Sequence, residues 1–430
     1  MADRNDELED GDAAGEGADG GDADGDAAGE GADGGDGSDA DGSEADEGAH
    51  GDEGADGGDE DGDEAVAAGA PADIHRDVFL VWRFPRIGMR NPQRMTNPVW
   101  VWLAREREMS AWSANNKFEG PSSMEVGPGW CASRFGQTRT TLPDGRELAI
   151  GGEHEDYYDP DFYIYNDVIV TSPSGEIEIY GYPHEVFPPT DFHSATLVGE
   201  RVVIIGCLGY SWMRRPGETP VFALDTTTLA VTRVATSGDA PGWMSEHTAE
   251  LVDGAIVVRK GQRLVVQGEA RELVENIDDW SLELASGVWT RLTDRRWPQW
   301  ELARADRKSN DLFWIDSATW HIEGKTEYDR KQLKELEEKL GWPPDFALHA
   351  ERYAPPVPHA RIESGDEKDW NVTRIAALGV TIRYREESST VHVMVEGELP
   401  AETVAAIVED ARQKLEKLER VPYVARALVT

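Results

Sequence analysis

A chain of 430 residues with a formal net charge of −42 has room for two or three domains, but its charge is concentrated: residues 1–73 hold 28 Asp and Glu against the single basic Arg4. The remainder carries about −15, a balance that excludes nucleic-acid phosphates and anionic membranes as direct partners, since both need clustered Lys and Arg. Two cysteines, Cys131 and Cys207, are too few for a disulfide framework and lack metal-ligand spacing, which fits a reduced, cytoplasmic setting.

The first residues show neither a basic n-region nor an apolar core, so no secretory signal is expected, and no apolar run reaches the roughly 20 residues of a membrane span. Between residues 11 and 64 the chain is almost wholly Gly, Asp, Ala and Glu, and the run from Gly11 to Asp22 recurs unchanged from Gly25 to Asp36. With almost nothing apolar to bury, nothing offsets a backbone ordering cost of roughly 1–2 kcal/mol per residue. A disordered acidic tail is therefore predicted over 1–73. Its Asp-Gly spacing fits neither an EF-hand loop nor the nine-residue register of calcium-binding β-rolls.

Aromatic and β-branched residues begin at Ile74. Val78 to Phe84 and Pro98 to Leu103 read as strands, with Ala111 and Trp112 near an outer strand. A period then appears. His193-Ser-Ala-Thr-Leu-Val-Gly199 leads to Val202-Val-Ile-Ile-Gly206-Cys207, and His247-Thr-Ala-Glu-Leu-Val-Asp-Gly254 leads to Ile256-Val-Val-Arg-Lys260-Gly261. One unit earlier the same frame holds Gln137 to Gly145, then Leu148-Ala-Ile-Gly151-Gly152. Each unit continues into a second strand pair: 166–170 with 176–180, 221–225 with 230–234, and 279–284 with 287–292.

Units of about 50 residues with four strands, a His opening strand one, a Gly doublet after strand two and the Gly287-Val-Trp289 of strand four resemble the kelch-repeat family. The resemblance implies a mainly β fold, a kelch-type β-propeller over about 74–300. Counting the segment from Val78 to Trp112, about four four-stranded blades are expected, as a small ring, a ring completed by later strands, or an open arc. Only Gly151-Gly152 keeps both glycines of the doublet, and only Trp289 keeps the strand-four tryptophan.

After Trp300 the repeat fades. Asp311 to Asp316 and Ala318 to Ile322 read as strands, Tyr328 to Leu340 as a charged helix closed by Gly341, and Tyr353 to His359 as a Pro-rich connector within a 301–370 extension. Residues 371–430 are expected to form a small α+β unit: a hairpin of 380–384 with 391–395, then an amphipathic helix from Ala401 to Arg420.

In the kelch family, loops after strand two and loops leading into strand one share a face. Carried onto this sequence, that face would gather His154, Asp156, Tyr157 and Tyr158 from one insertion and Tyr210, Trp212, Arg214 and Arg215 from the next. The lead-in loops add Trp130, Arg134, Asp191 and Trp243. Aromatics and arginine on loops held by a rigid scaffold make a binding surface. The competing readings are bland: His193 and His247 as packing residues, the acidic insertion as a solvated loop, Arg214-Arg215 as its counter-charge. No phosphate loop, zinc motif or catalytic constellation stands out, so no metal, cofactor or catalytic residue is assigned. The expected function is a scaffold for a partner protein. A small-molecule or carbohydrate binder or enzyme on the same face, such as a sugar mutarotase, and a self-associating structural protein are the alternatives.

Overall fold

The computed structural model describes residues 73–106, 109–154, 160–268, 270–363 and 371–428. The predicted acidic tail, apart from Asp73, lies outside the described residues, as do Asp156, Tyr157 and Tyr158.

The strands expected from Val78 to Leu103 are helices instead. The chain runs through α1 (Arg76–Trp82), the short strand β1 (Gln93–Arg94), α2 (Pro98–Arg105), α3 (Ala111–Lys117) and α4 (Ser123–Val126). Asn97 caps α2 by accepting from the N–H groups of Val99 and Trp100, and Pro98 fits the first turn, where no N–H is needed. Val99, Trp100, Trp102 and Leu103 are then buried, an apolar run that suits a buried helix as well as a strand.

The three repeat units form sheets as expected. The first holds β2 (Thr138–Thr141), β3 (Glu147–Ile150), β6 (Val168–Thr171) and β7 (Ile177–Gly181), while β4 (Glu153–His154) and β5 (Tyr163–Ile164) make a separate ribbon between β3 and β6. The second holds β8 (Ser194–Val198), β9 (Arg201–Ile205), β10 (Val221–Asp225) and β11 (Val231–Arg233). After β12 (Ser237–Gly238) and β13 (Met244–Ser245), the third unit comprises β14 (Thr248–Val252), β15 (Ala255–Arg259), β16 (Gln262–Gln267), β17 (Ala270–Glu275), β18 (Trp280–Glu283) and β19 (Val288–Arg291). Its main sheet runs β12-β19-β18-β15-β14, and β13-β16-β17 form an extra ribbon. Within each unit the four repeat strands pair antiparallel in sequence order.

Period-two alternation sends opposite sets of side chains to the two faces of each sheet. Leu148, Ile150, Val168 and Val170 of the first sheet pack on Val202, Ile204, Phe222 and Leu224 of the second. The other face of the second, with Val203, Ile205 and Val221, packs on Ile256, Val258, Trp280 and Leu282 of the third. Each such side chain contributes about 1.5–3 kcal/mol on burial. The far face of the first sheet is covered by the helices, through Ile169, Ile177 and Ile179 against Trp100 and Trp130. The far face of the third carries the ion pairs Glu250–Arg259 and Arg259–Asp279. The stack is thus capped by a helical layer at one end and a charged surface at the other, as repeat arrays are. Three sheets follow the repeat, rather than about four, and the described sheets close into no barrel or ring.

The C-terminal region is built on one six-stranded sheet. Its elements are β20 (Gln299–Arg304), α5 (Leu312–Ala318), α6 (Glu327–Leu340), α7 (Phe346–Ala350), β21 (Arg361–Glu363), β22 (Val372–Ala377), β23 (Val380–Glu386), β24 (Thr390–Glu396), α8 (Ala401–Glu419) and β25 (Tyr423–Leu428). The strands expected at 311–316 and 318–322 are α5 and a 3-10 turn, with Leu312, Ile315 and Ala318 turned inward at helical spacing. The hairpin of β23 and β24 and the amphipathic α8 are as predicted, and Val404, Ile407, Val408, Ala411, Leu415 and Leu418 are all buried. The sheet order is β21-β22-β23-β24-β20-β25, so a strand that directly follows the third repeat sits inside it. Among the described residues no helix is long and apolar enough to cross a membrane.

Candidate functional site

The loops of the three units are built on one repeated joint. Gly136, Phe192 and Glu246 occupy equivalent lead-in positions, all at positive φ. Phe192 donates its N–H to the carbonyl of Gly136 (2.9 Å), and Glu246 donates to that of Phe192 (2.8 Å), so each lead-in rests on the previous one. The next residue adds a side-chain bond: His193 Nε2 meets the Thr138 hydroxyl at 2.7 Å, and His247 Nε2 meets that of Ser194 at 2.8 Å. Burial lowers the His193 imidazole to about 3, with His247 adding to the effect, and lowers His247 to about 4. Both histidines are therefore neutral joints between neighbouring sheets, in line with the packing reading.

The glycines after strand two exist because the next lead-in presses against their backbone. A Cβ on Gly151 would lie 2.1 Å from the carbonyl oxygen of Thr190, and one on Gly206 would lie 2.3 Å from that of Met244. Between those contacts sits Asp191. It is fully buried, and its Oδ1 accepts the N–H of Gly209 at 2.6 Å. No N–H or O–H donor of a neighbour reaches Oδ2, while the Glu153 carboxyl of β4 lies within hydrogen-bonding range. Burial raises the Asp191 pKa against the opposing pull of the Gly209 N–H, Glu153 and Arg214. Two carboxyl groups that meet away from water share a proton more readily than they both ionise.

Asp191 also positions the second insertion. Its carbonyl accepts the N–H of Leu208 (3.1 Å), Trp243 donates Nε1–H to the Leu208 carbonyl (3.1 Å), and Arg214 donates to the carbonyls of Leu208 and Gly209. Asp191 and Trp243 are thus buried braces, and Arg214 is turned back onto its own loop. What the loop presents outward is Trp212, 69% exposed, stacked on Tyr210 at 5.8 Å between ring centroids. Tyr210 accepts the N–H of Ile164 (3.0 Å) and meets Phe162 edge-on, and burial, with Asp191 and Glu153 behind it, raises its pKa. Arg215 is exposed beside them and donates to the Trp212 carbonyl.

Trp130 and Arg134 do not reach this surface. Trp130 is buried, stacked on Trp100 at 5.1 Å, and donates Nε1–H to Asp167 at 2.8 Å. Arg134 pairs with Asp167 and lies 3.5 Å over the ring of Tyr165. Burial works against its charge, and Asp167 more than compensates, so its pKa is raised. These residues join the helical layer to the first sheet. His154 is buried near Asp161, and burial lowers its pKa to about 4. Among the described residues no group of three or more His, Cys, Asp or Glu could hold a metal ion.

Sequence reasoning missed two members of the site. Glu153 opens the acidic insertion, and its partner Asp191 belongs to the next unit, so no short stretch of sequence pairs them. Phe135 is two-thirds exposed and bridges to Glu153, and in the repeat frame it occupies the position of Asp191, which was the available signal.

No family model matches the chain, and no curated protein matches it. Among solved structures, one described as "Structure of YjhT" is similar at 13% identity and a TM-score of 0.29, over 37% of this chain and 55% of that one. The chain spans about half the length of that structure, and a likeness this slight carries no argument about fold or function.

Proposed function

We propose that this chain is a kelch-type binding scaffold whose loop face, centred on Trp212, docks a partner protein. The observation that carries the reading is the contrast between an exposed tryptophan and the fixed loop beneath it. Large aromatic surface left in water costs stability, and a loop braced by Asp191, Trp243 and Arg214 loses little entropy when it binds. Tyr210 and Arg215 supply the surrounding surface. The repeated joint and the sheet order support kelch-type units in a short capped arc, and the two buried thiols fit a cytoplasmic setting.

The test is affinity capture from native lysate with the full chain, set against Trp212→Ala with Arg215→Glu. Partners recovered by the first and lost by the second, at equal melting temperature, support the reading; identical recovery rejects this face.

A further inference from the structure

Each repeat unit carries an insertion after its second strand, and the three insertions lean on one another in order. The first is the β4–β5 ribbon, the second is the Trp212 loop, and the third is the β16–β17 ribbon, which pairs over six residues and turns at Gly268. The first meets the second where Ile164 donates its N–H to the Tyr210 hydroxyl. The second meets the third in two places. Arg271 donates to the Arg214 carbonyl at 2.8 Å. Leu264 donates its N–H to the Trp243 carbonyl at 2.8 Å, and Leu264 and Leu273 pack with Trp243 and Cys207, Trp243 in turn holding the Leu208 carbonyl.

The third insertion leans on the C-terminal sheet instead of on a further unit. Glu272 pairs with Arg426 of β25 at 2.6 Å, and Glu275 pairs with Arg383 of β23. Both arginines are shared. Arg426 also lies 3.2 Å from Glu301 of β20, and Arg383 lies 3.1 Å from Glu396 of β24, so each ties the ribbon to two strands of the sheet. A two-stranded ribbon is marginal by itself in water, so its position is set by what holds its two sides.

We propose that the C-terminal sheet is the end stop of this row and sets the mobility of the Trp212 loop through the β16–β17 ribbon. Loosening the Glu272–Arg426 and Glu275–Arg383 pairs frees the ribbon, withdraws the support of Arg271 and Leu264, and lets Leu208 and Gly209 leave Asp191. By reciprocity, whatever fixes the Trp212 loop also holds the ribbon against the sheet, so a ligand of either region changes the other. The coupling is a property of the chain alone and does not depend on what docks at Trp212.

The experiment is hydrogen exchange of the full chain at one pH, read by mass spectrometry over residues 207–216, where Asp191 holds the N–H groups of Leu208 and Gly209. The variant is Glu272→Gln with Glu275→Gln, which releases the ribbon while leaving Arg426 with Glu301 and Arg383 with Glu396. Exchange over the loop should quicken about threefold or more, while β8 to β10 keep the parent's protection. Arg139→Gln, which breaks a comparably exposed pair with Glu147 in the first unit, should leave the loop unchanged. In the parent, raising NaCl from about 0.1 to about 0.5 M should quicken the same segment, because salt screens partly exposed pairs, and the double variant should have lost that response. An unaltered loop in the double variant, equal opening of the second sheet, an equal effect from Arg139→Gln, or a parent loop indifferent to salt would each overturn the proposal.

Discussion

The histidine joints give the molecule a predictable response to acid. His193 and His247 are buried with Nε2 on a neighbouring hydroxyl, and Nδ1 of each has no hydrogen-bond partner. Protonation would place a charge and an unsatisfied N–H between two sheets. In the unfolded chain both would titrate near 6.5, whereas in the fold they are held at about 3 and about 4. The unfolded state therefore binds more protons as pH falls below 6.5, and stability present at neutral pH is lost toward the folded-state values. By pH 5 each histidine should cost about 2 kcal/mol, and the two together about 4 kcal/mol. The perturbation is His193→Gln with His247→Gln, a residue the first unit already uses at the equivalent Gln137. Urea unfolding followed by tryptophan fluorescence at pH 7 and pH 5 would give the stability change across that interval. The double variant should lose about 4 kcal/mol less than the parent. Equal losses in the two proteins would show that these imidazoles do not carry the acid sensitivity, and the reasoning would fail.

Three further outcomes follow from buried contacts. Arg134→Ala strands the carboxylate of Asp167 in the core and should cost roughly 3–5 kcal/mol, read as a lowered melting temperature. Gly206→Ala must displace the Met244 carbonyl and should cost roughly 3 kcal/mol or more, while Gly175→Ala, also at positive φ but with open space around it, should cost only about 1 kcal/mol. Arg304→Ala removes the partner of the buried Glu419, which also accepts from the Tyr423 hydroxyl and the Asp311 N–H. It should therefore loosen the C-terminal sheet by roughly 3–5 kcal/mol, seen as lost hydrogen-exchange protection in β20 and β25.

The repeat was legible because its signals are local: turn glycines, alternating strands and a His at a constant offset lie within short windows from Gln137 to Leu292. The helices at Arg76–Trp82, Pro98–Arg105 and Leu312–Ala318 were misread because aromatic and β-branched residues fill them for packing reasons. The local signal for a helix there is the Asn97-Pro98 cap. At the candidate site, Trp212 could be named from sequence, but its exposure depends on braces from Asp191 and Trp243. The pairing of Glu153 with Asp191 joins residues from successive units, which no short window contains. Trp130 and Arg134 were placed on the loop face because the helical layer that buries them was not foreseen.

The position of β20 between β24 and β25 sets a timetable for synthesis. β20 emerges from the ribosome directly after the third repeat, yet one of its neighbours, β25, lies about 120 residues downstream. At about 5–20 residues per second, the strand waits for some 6 to 24 seconds with an unpaired edge. During that interval Trp300 and Leu302 lack the sheet that later covers Leu302. Nascent chains paused between Arg304 and Tyr423 should therefore be the form of this protein that chaperones hold longest.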